Sequence, residues 1–185
     1  MTASHEAVMF IQKGAFKMMT IVQLCDALRA ELMKGGYEYG FVVDGQIYKP
    51  NMAGGFDATF YHLANTISLV QDPEVTKKEK VGTCIDAVLV MQQILDAYRV
   101  PSKIWLTYHK QKNKVHTVLT FEAEGKVVYL ELTPQSSKPW YGKEIVYGDE
   151  RAFLQAHEKD GYEIFDVTDQ IVIGERPYFL LDKLK

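Results

Sequence analysis

Cysteine is scarce in this chain, and long apolar runs are missing from it. The chain has 185 residues and two cysteines, too few thiols for the disulfide framework of a small secreted scaffold. Cys25 and Cys84 lie in separate predicted helices, without the CxxC or Cys/His spacing of a zinc site. No apolar run approaches the roughly 18 residues that span a bilayer. We therefore expect a reduced, cytoplasmic protein without a metal or a membrane association.

A strong excess of basic residues is also missing. The formal net charge is -3 and the isoelectric point is near 6.0, with acids and bases interspersed along the chain. The densest basic run consists of Lys77, Lys78 and Lys80, and we predict that it is a solvated loop. Nucleic-acid binding needs a concentrated basic patch, so we do not expect a nucleic-acid partner.

Length and apolar content predict one well-filled core and therefore a single domain over residues 20–185, since 47% of the residues are apolar. Residues 1–19 contain no unbroken apolar segment followed by a small-residue cleavage site. We expect these residues to be a leader or a flexible N-terminal segment.

The apolar periodicity places helices first and strands afterwards. An amphipathic helix begins after Thr20 and buries Cys25, and Asp44-Gly45 is a hairpin turn signal. From Cys84 to Tyr98 apolar residues occupy nearly every face, which predicts a buried central helix. Further helices are predicted over 58–70 and 149–159, and strands over 103–108, 115–122, 126–132 and 162–167. The predicted class is α+β, with N-terminal helices and a central helix that begins at the cysteine, packed on an antiparallel sheet.

Cys84 stands in the first turn of that central helix. Thr83 and Asp86 have the spacing of a capping box, which fixes the start of the helix. Unpaired N–H groups and a partial positive charge at a helix N-terminus stabilise a thiolate. Gly82 has no Cβ and so allows a backbone or a substrate to approach the sulfur. The Cys84 amide is itself a candidate oxyanion donor.

A base and an orienting group follow in order along the chain. His116 begins a predicted strand, and Glu131 is a carboxylate inside the next, otherwise apolar strand, where a charge needs a dedicated partner. A tight turn centred near residues 123 and 124 predicts that His116 lies directly opposite Glu131, about 5 Å away. This order is the pattern of a thiol-dependent acyl transfer, with Cys84 as nucleophile, His116 as base and Glu131 as orienter.

Four segments together resemble the core signature of the transglutaminase-like superfamily of papain-type cysteine proteins. These segments are Val81–Ala87, Leu95–Lys103, His116–Val118 and Leu130–Pro134. They correspond to a cysteine that opens a helix, a G-I-P-A-R-like helix exit, an H-A-W strand and an L-D-P-T-like strand. The resemblance covers about residues 80–136, and size and lead-in are similar to small bacterial and phage members.

The resemblance implies a papain-like catalytic core with Cys84 as nucleophile, His116 as general base and acid, and Glu131 as orienter. Glu131 replaces the usual aspartate, and Val118 replaces the usual tryptophan. The implied substrate is a protein, a peptide or a small amide, and no cofactor is implied. Peptidase, amidase (deamidase) and cross-linking activities stay open, with hydrolysis favoured, and no oligomeric state is predicted.

The same resemblance implies a second oxyanion donor upstream of the cysteine. Gln71 is the favoured candidate, ahead of Asn65, Tyr61 and His62. The alternative to an enzyme is a non-catalytic binding or structural module, in which Cys84 is an inert buried thiol.

Two aromatic residues and one further histidine complete the candidates. Trp140 and Tyr141 follow Glu131 in a predicted loop and either wall a substrate cleft or cap the core. His109 lies beside a lysine-rich turn, where we expect a solvated surface side chain.

Overall fold

The computed structural model describes residues 19–51, 53, 57–134 and 139–182. The predicted leader lies outside these residues except for Met19. The α-helices are α1 (Ile21–Leu32), α2 (Ala58–Ile67), α3 (Pro73–Glu79), α4 (Cys84–Ala97), α5 (Glu150–Lys159) and α6 (Tyr178–Leu181). The strands are β1 (Glu38–Tyr39), β2 (Phe41–Val43), β3 (Gln46–Tyr48), β4 (Val81–Gly82), β5 (Ser102–His109), β6 (Lys114–Ala123), β7 (Lys126–Leu130), β8 (Glu144–Tyr147) and β9 (Glu163–Asp166).

Five strands form one antiparallel sheet in the order β8-β7-β6-β5-β9. Two small pairs stand beside it. Strand β2 pairs with β3 around the predicted Asp44-Gly45 turn, and β1 pairs with β4 in parallel. The α+β class predicted from the sequence, with an antiparallel sheet, is confirmed.

Helix α4 is buried on nearly all sides, as its continuous apolar pattern predicts. Nine of its residues are buried, among them Val90 and Leu95, which have no exposed surface. The core cluster joins α4 to Leu24 and Leu28 of α1 and to Leu119 of β6. Burial of this apolar area is the main force that holds the helix against the sheet.

The other face of the sheet is covered by α5. Trp105, Val118 and Tyr129 form a second cluster around Phe153 of that helix. Since alternate residues of a strand point to opposite faces, Val118 packs in this cluster while Leu119 packs against α4. Helices thus cover both faces of the sheet. Within the described residues, no helix has the length and apolar character to cross a membrane.

The lysine-rich segment before Cys84 is helical, so the prediction of a loop there is wrong. Asp72 accepts a hydrogen bond from the Glu74 N–H at 2.8 Å, and Pro73 occupies the first turn of α3. Proline is favoured at that position because its missing N–H would have no helical partner.

The prediction that His109 is a solvated surface side chain is also wrong. His109 is 6% exposed and packs edge-on against Tyr162.

The predicted register of the β6–β7 hairpin is wrong by two residues. Ala123 pairs with Lys126, and the turn consists of Glu124 and Gly125, both with positive φ. This two-residue geometry matches the twist of the strands and sets the pairing of Thr120 with Tyr129. Strand β7 ends at Leu130, so Glu131 does not pair with His116 in the ladder.

Candidate active site

The first turn of α4 fixes Cys84. The Asp86 carboxylate accepts hydrogen bonds from the backbone N–H and the hydroxyl of Thr83, each at 2.8 Å, and from the Gln71 N–H at 2.9 Å. The predicted capping interaction from Asp86 back to Thr83 is therefore present. Asp86 is 1% exposed, so the start of the helix is anchored in the interior and Cys84 is held in one position.

His116 and Glu131 are in direct contact although they are not paired in the ladder. The N–H at Nε2 of His116 donates to Oε2 of Glu131 at 2.7 Å. The other carboxylate oxygen, Oε1, accepts the Thr133 N–H at 2.9 Å, and the Tyr129 hydroxyl donates to Oε2 at 3.2 Å. Glu131 is 3% exposed. Because Nε2 is hydrogen-bonded to Glu131, Nδ1 is the ring nitrogen of His116 that is available to the Cys84 thiol.

The charge on Glu131 controls the protonation of His116. Burial lowers the pKa of His116, but the Glu131 charge and the hydrogen bonds to Cys84 and Glu131 raise it from 6.5 to about 9. The imidazole is therefore protonated at neutral pH. A carboxylate next to a histidine stabilises the imidazolium in this way.

The pKa of the Cys84 thiol is shifted in the opposite direction, which also favours the charged form. Burial raises its pKa, yet the hydrogen bond from His116, the charge on that ring and the N–H of Thr117 together lower it below the ordinary thiol value. The Thr117 hydroxyl lies buried beside the sulfur and has no hydrogen-bond partner elsewhere among the described residues, which leaves it available to a thiolate. The arrangement favours a thiolate–imidazolium pair.

Cys84 opens onto a cavity of about 600 Å³, a volume typical of ligand sites. Its lining comes from β1, α2, the start of α4, the turn before β6 and the C-terminal segment. The lining residues are Tyr39, Tyr61, Ala64, Asn65, Ser68, Leu69, Thr83, Cys84, Ile85, Asn113, Lys114, Val115, Pro177, Leu180 and Leu181. Among these described residues, Lys114 carries the positive charge, and apart from the Cys84 thiolate the others are apolar or neutral.

Trp140 and Tyr141 lie away from this cavity wall. The Trp140 indole hydrogen-bonds to the Tyr129 hydroxyl, which in turn donates to Glu131. Tyr141 is half-buried near Glu131, whose charge adds to the effect of burial in raising the pKa of Tyr141. The Gly142 N–H donates to the Glu131 carbonyl at 2.9 Å. Trp140, through Tyr129, and Gly142 therefore support Glu131, and neither Trp140 nor Tyr141 is among the described residues that line the cavity.

Gln71 is engaged in fixed structural contacts. Its amide nitrogen donates to the Thr76 hydroxyl and to the Val81 carbonyl, both at 2.9 Å, and its amide oxygen accepts the Val42 N–H at 2.6 Å. Both amide hydrogens are thus donated away from Cys84. Among the other three oxyanion candidates, Asn65 and Tyr61 line the cavity and His62 does not.

Gly82 serves helix packing in the structure. A Cβ at this position would lie 3.0 Å from Cβ of Asp86 and 3.0 Å from Cγ2 of Thr76. The missing side chain therefore makes room for contact between α3 and α4, and Gly82 does not line the cavity.

Sequence reasoning missed two residues of the site, Tyr39 and Thr117. Tyr39 reaches the site because β1 pairs with β4, a contact between segments far apart in the chain that leaves no periodic signal. Thr117 follows His116 directly in the sequence, and this neighbouring position could have been used to predict that its backbone lies near the thiol.

No protein-family model matches the chain, and no curated protein is significantly similar to it. Among solved structures, LapG of Legionella pneumophila is similar at 15% identity and a TM-score of 0.40, covering 88% of this chain and 84% of that one. The EGTA-treated form of the same protein gives 15% identity, a TM-score of 0.39 and the same coverage. Similarity at this level does not assign a family.

Proposed function

We propose that this protein is a cysteine hydrolase or acyltransferase of the transglutaminase-like type, acting on a peptide or carboxamide bond. Cys84 is the nucleophile, His116 the general base and acid, and Glu131 the residue that orients His116. The observation that carries the proposal is the contact of His116 with both Cys84 and Glu131 at the N-terminus of a buried helix.

The first half-reaction forms a thioester. The Cys84 thiolate attacks the carbonyl carbon, and the electron pair of the C=O bond moves to oxygen to give a tetrahedral oxyanion. When this intermediate collapses, the C–N bond breaks and the His116 imidazolium gives its proton to the leaving nitrogen. Glu131 keeps the ring in place and favours its charged form until that transfer.

The second half-reaction releases the acyl group. Neutral His116 takes a proton from water as the oxygen attacks the thioester carbon, and the C–S bond breaks to give the acid and the thiolate. An amine in place of water gives transamidation instead. We favour hydrolysis, and deamidation and cross-linking are the other outcomes of the same intermediate.

The cavity supports a peptide as the acyl donor. Its wall offers Leu69, Leu180 and Leu181 to an apolar side chain, while Asn65 is available to a backbone amide. Sites of this volume with apolar walls and a few polar groups bind ligands that bury most of their surface. We also propose a reduced, cytoplasmic location, in which Cys84 stays available as a free thiol.

The test is the pH dependence of iodoacetamide labelling at Cys84, read by peptide mass mapping. The wild-type thiol is expected to react well below the ordinary thiol pKa of about 8.5, and His116→Ala is expected to shift the reaction up toward that value. Cys25 is an internal reference, because burial raises its pKa to about 11.

A thiol that titrates near its ordinary value in both proteins would overturn the proposal and leave a non-catalytic binding or structural module. Substrate identity then follows from an acyl probe applied to native lysate, with Cys84→Ala as the unlabelled control.

A further inference from the structure

An acyl-transfer site of the proposed kind needs hydrogen-bond donors for the oxyanion, and one is in place. Cys84 is the first residue of α4, so its backbone N–H has no partner within the helix. A second donor is the usual complement. Gln71 does not supply it, because both of its amide hydrogens are donated to Thr76 and Val81.

Tyr39 is brought to the site by a two-residue parallel ladder. Its register partner is Gly82, and β4 leads through Thr83 directly into Cys84. Tyr39 and Cys84 line the same cavity. The ladder and the capping box together fix the spacing between the Tyr39 backbone and the start of α4.

The Tyr39 side chain is held by packing while its hydroxyl is uncommitted. The ring lies against Phe60 with 6.0 Å between centroids, and Phe60 is 4% exposed. The hydroxyl makes no hydrogen bond with any residue that the structure describes. Burial raises the pKa of Tyr39 well above its usual range, and the nearby Cys84 thiolate acts in the same direction. The phenol therefore keeps its proton and is a donor at every working pH.

We infer that the Tyr39 hydroxyl is the second oxyanion donor, acting with the Cys84 N–H on the oxygen of the tetrahedral intermediate. This inference rests on the proposed function, since it requires acyl transfer at Cys84. It makes Tyr39 a catalytic residue that touches the reacting oxygen.

Two reagents separate this role from the reactivity of the thiol. With p-nitrophenyl acetate, the Cys84 thiolate adds to the carbonyl carbon, an oxyanion forms, and its collapse expels p-nitrophenolate and leaves S-acetyl Cys84. With iodoacetamide, the thiolate displaces iodide from a saturated carbon and no oxyanion forms. The ratio of the two rates therefore reports on the oxyanion donors alone.

The experiment compares Tyr39→Phe with wild type in both reactions on the full chain. Acetylation of Cys84 is expected to slow by about 10²-fold, the typical loss for one oxyanion donor, while alkylation is unchanged. Tyr37→Phe is the matched control, because that hydroxyl donates to Glu31 at 2.6 Å and Tyr37 does not line the cavity. It is expected to leave both rates unchanged.

The remaining outcomes are decisive. Unchanged acetylation in Tyr39→Phe, or an equal loss in both reactions, would overturn the oxyanion role while leaving the thiol chemistry intact. Wild-type protein that is alkylated but never acetylated would refute the proposed acyl transfer itself, and this inference with it. Phenylalanine retains the ring contact with Phe60, and a thermal melt of the variant verifies that it is folded.

Discussion

At the scale of single residues, the charge of Glu131 sets the protonation of the site. Glu131→Gln keeps an acceptor for Thr133 but removes the charge, so the pKa of His116 is expected to fall from about 9, because the effect of burial is then opposed only by the contact with Cys84. Titration of the His116 ring protons by NMR measures this change. Glu122→Gln, on the exposed side of β6, is the control and is expected to leave that titration unchanged.

Under the proposed mechanism, the same residue pair predicts the pH profile of amide turnover. Because the folded-state pKa of His116 is raised from 6.5 to about 9, the imidazolium needed to protonate the leaving nitrogen persists at neutral pH and is lost as the pH rises through about 9. The rate of amide hydrolysis is expected to decline along that limb, whereas alkylation of the thiolate is not. A decline centred near 6.5 would contradict the assignment of His116 as the acid.

At the scale of secondary-structure elements, the contact between α3 and α4 positions Cys84. Gly82→Ala adds a Cβ 3.0 Å from Thr76 and Asp86, so the free energy of unfolding is expected to fall by about 1–3 kcal/mol, as for other overpacked sites. Gly148→Ala is the matched control, because its Cβ meets nothing within 4 Å. Denaturant titration compares the two variants, and equal stability in both would contradict the packing role of Gly82.

Local signals account for what the sequence predicted of these elements. The apolar pattern of α4 and its Thr83–Asp86 cap depend on residues close in the chain, and both are present in the structure. The β6–β7 register depended on the position of a turn, and an error of one residue at the turn shifted the pairing by two. Helix α3 was missed because its lysine-rich end was interpreted as a solvated loop, although Asp72 and Pro73 occupy the cap and the first turn of a helix.

At the site, the sequence was sufficient to predict the three residues of the proposed catalytic group, but not their contacts with distant segments of the chain. The order of Cys84, His116 and Glu131 along predicted elements was sufficient to expect them together, and the structure brings them into contact. The position of Tyr39 depends on the β1–β4 pairing, and the commitment of Gln71 depends on Thr76 and Val42. No periodicity in the sequence encodes either of these contacts.

At the scale of the whole molecule, α1 is joined to the loop that supports the carboxylate of the site. The Nε group of Arg29 donates to the Gly142 carbonyl at 2.7 Å, and Nη2 pairs with Glu144 at the start of β8. On its other side, Gly142 donates its own N–H to the Glu131 carbonyl. Arg29 therefore connects the N-terminal helix, the sheet edge and the backbone of Glu131.

Arg29→Met tests this connection, because methionine keeps much of the apolar stem and removes the guanidinium. The Gly142 carbonyl and the Glu144 carboxylate then lose charged donors in a partly buried place, so the free energy of unfolding is expected to fall by about 1–3 kcal/mol. Arg151→Met on the exposed face of α5 is the matched control and is expected to change stability by no more than about 0.5 kcal/mol. Urea unfolding followed by tryptophan fluorescence gives both values. A loss in Arg29→Met no larger than in the control would mean that α1 is held by its apolar face alone, through Leu24 and Leu28.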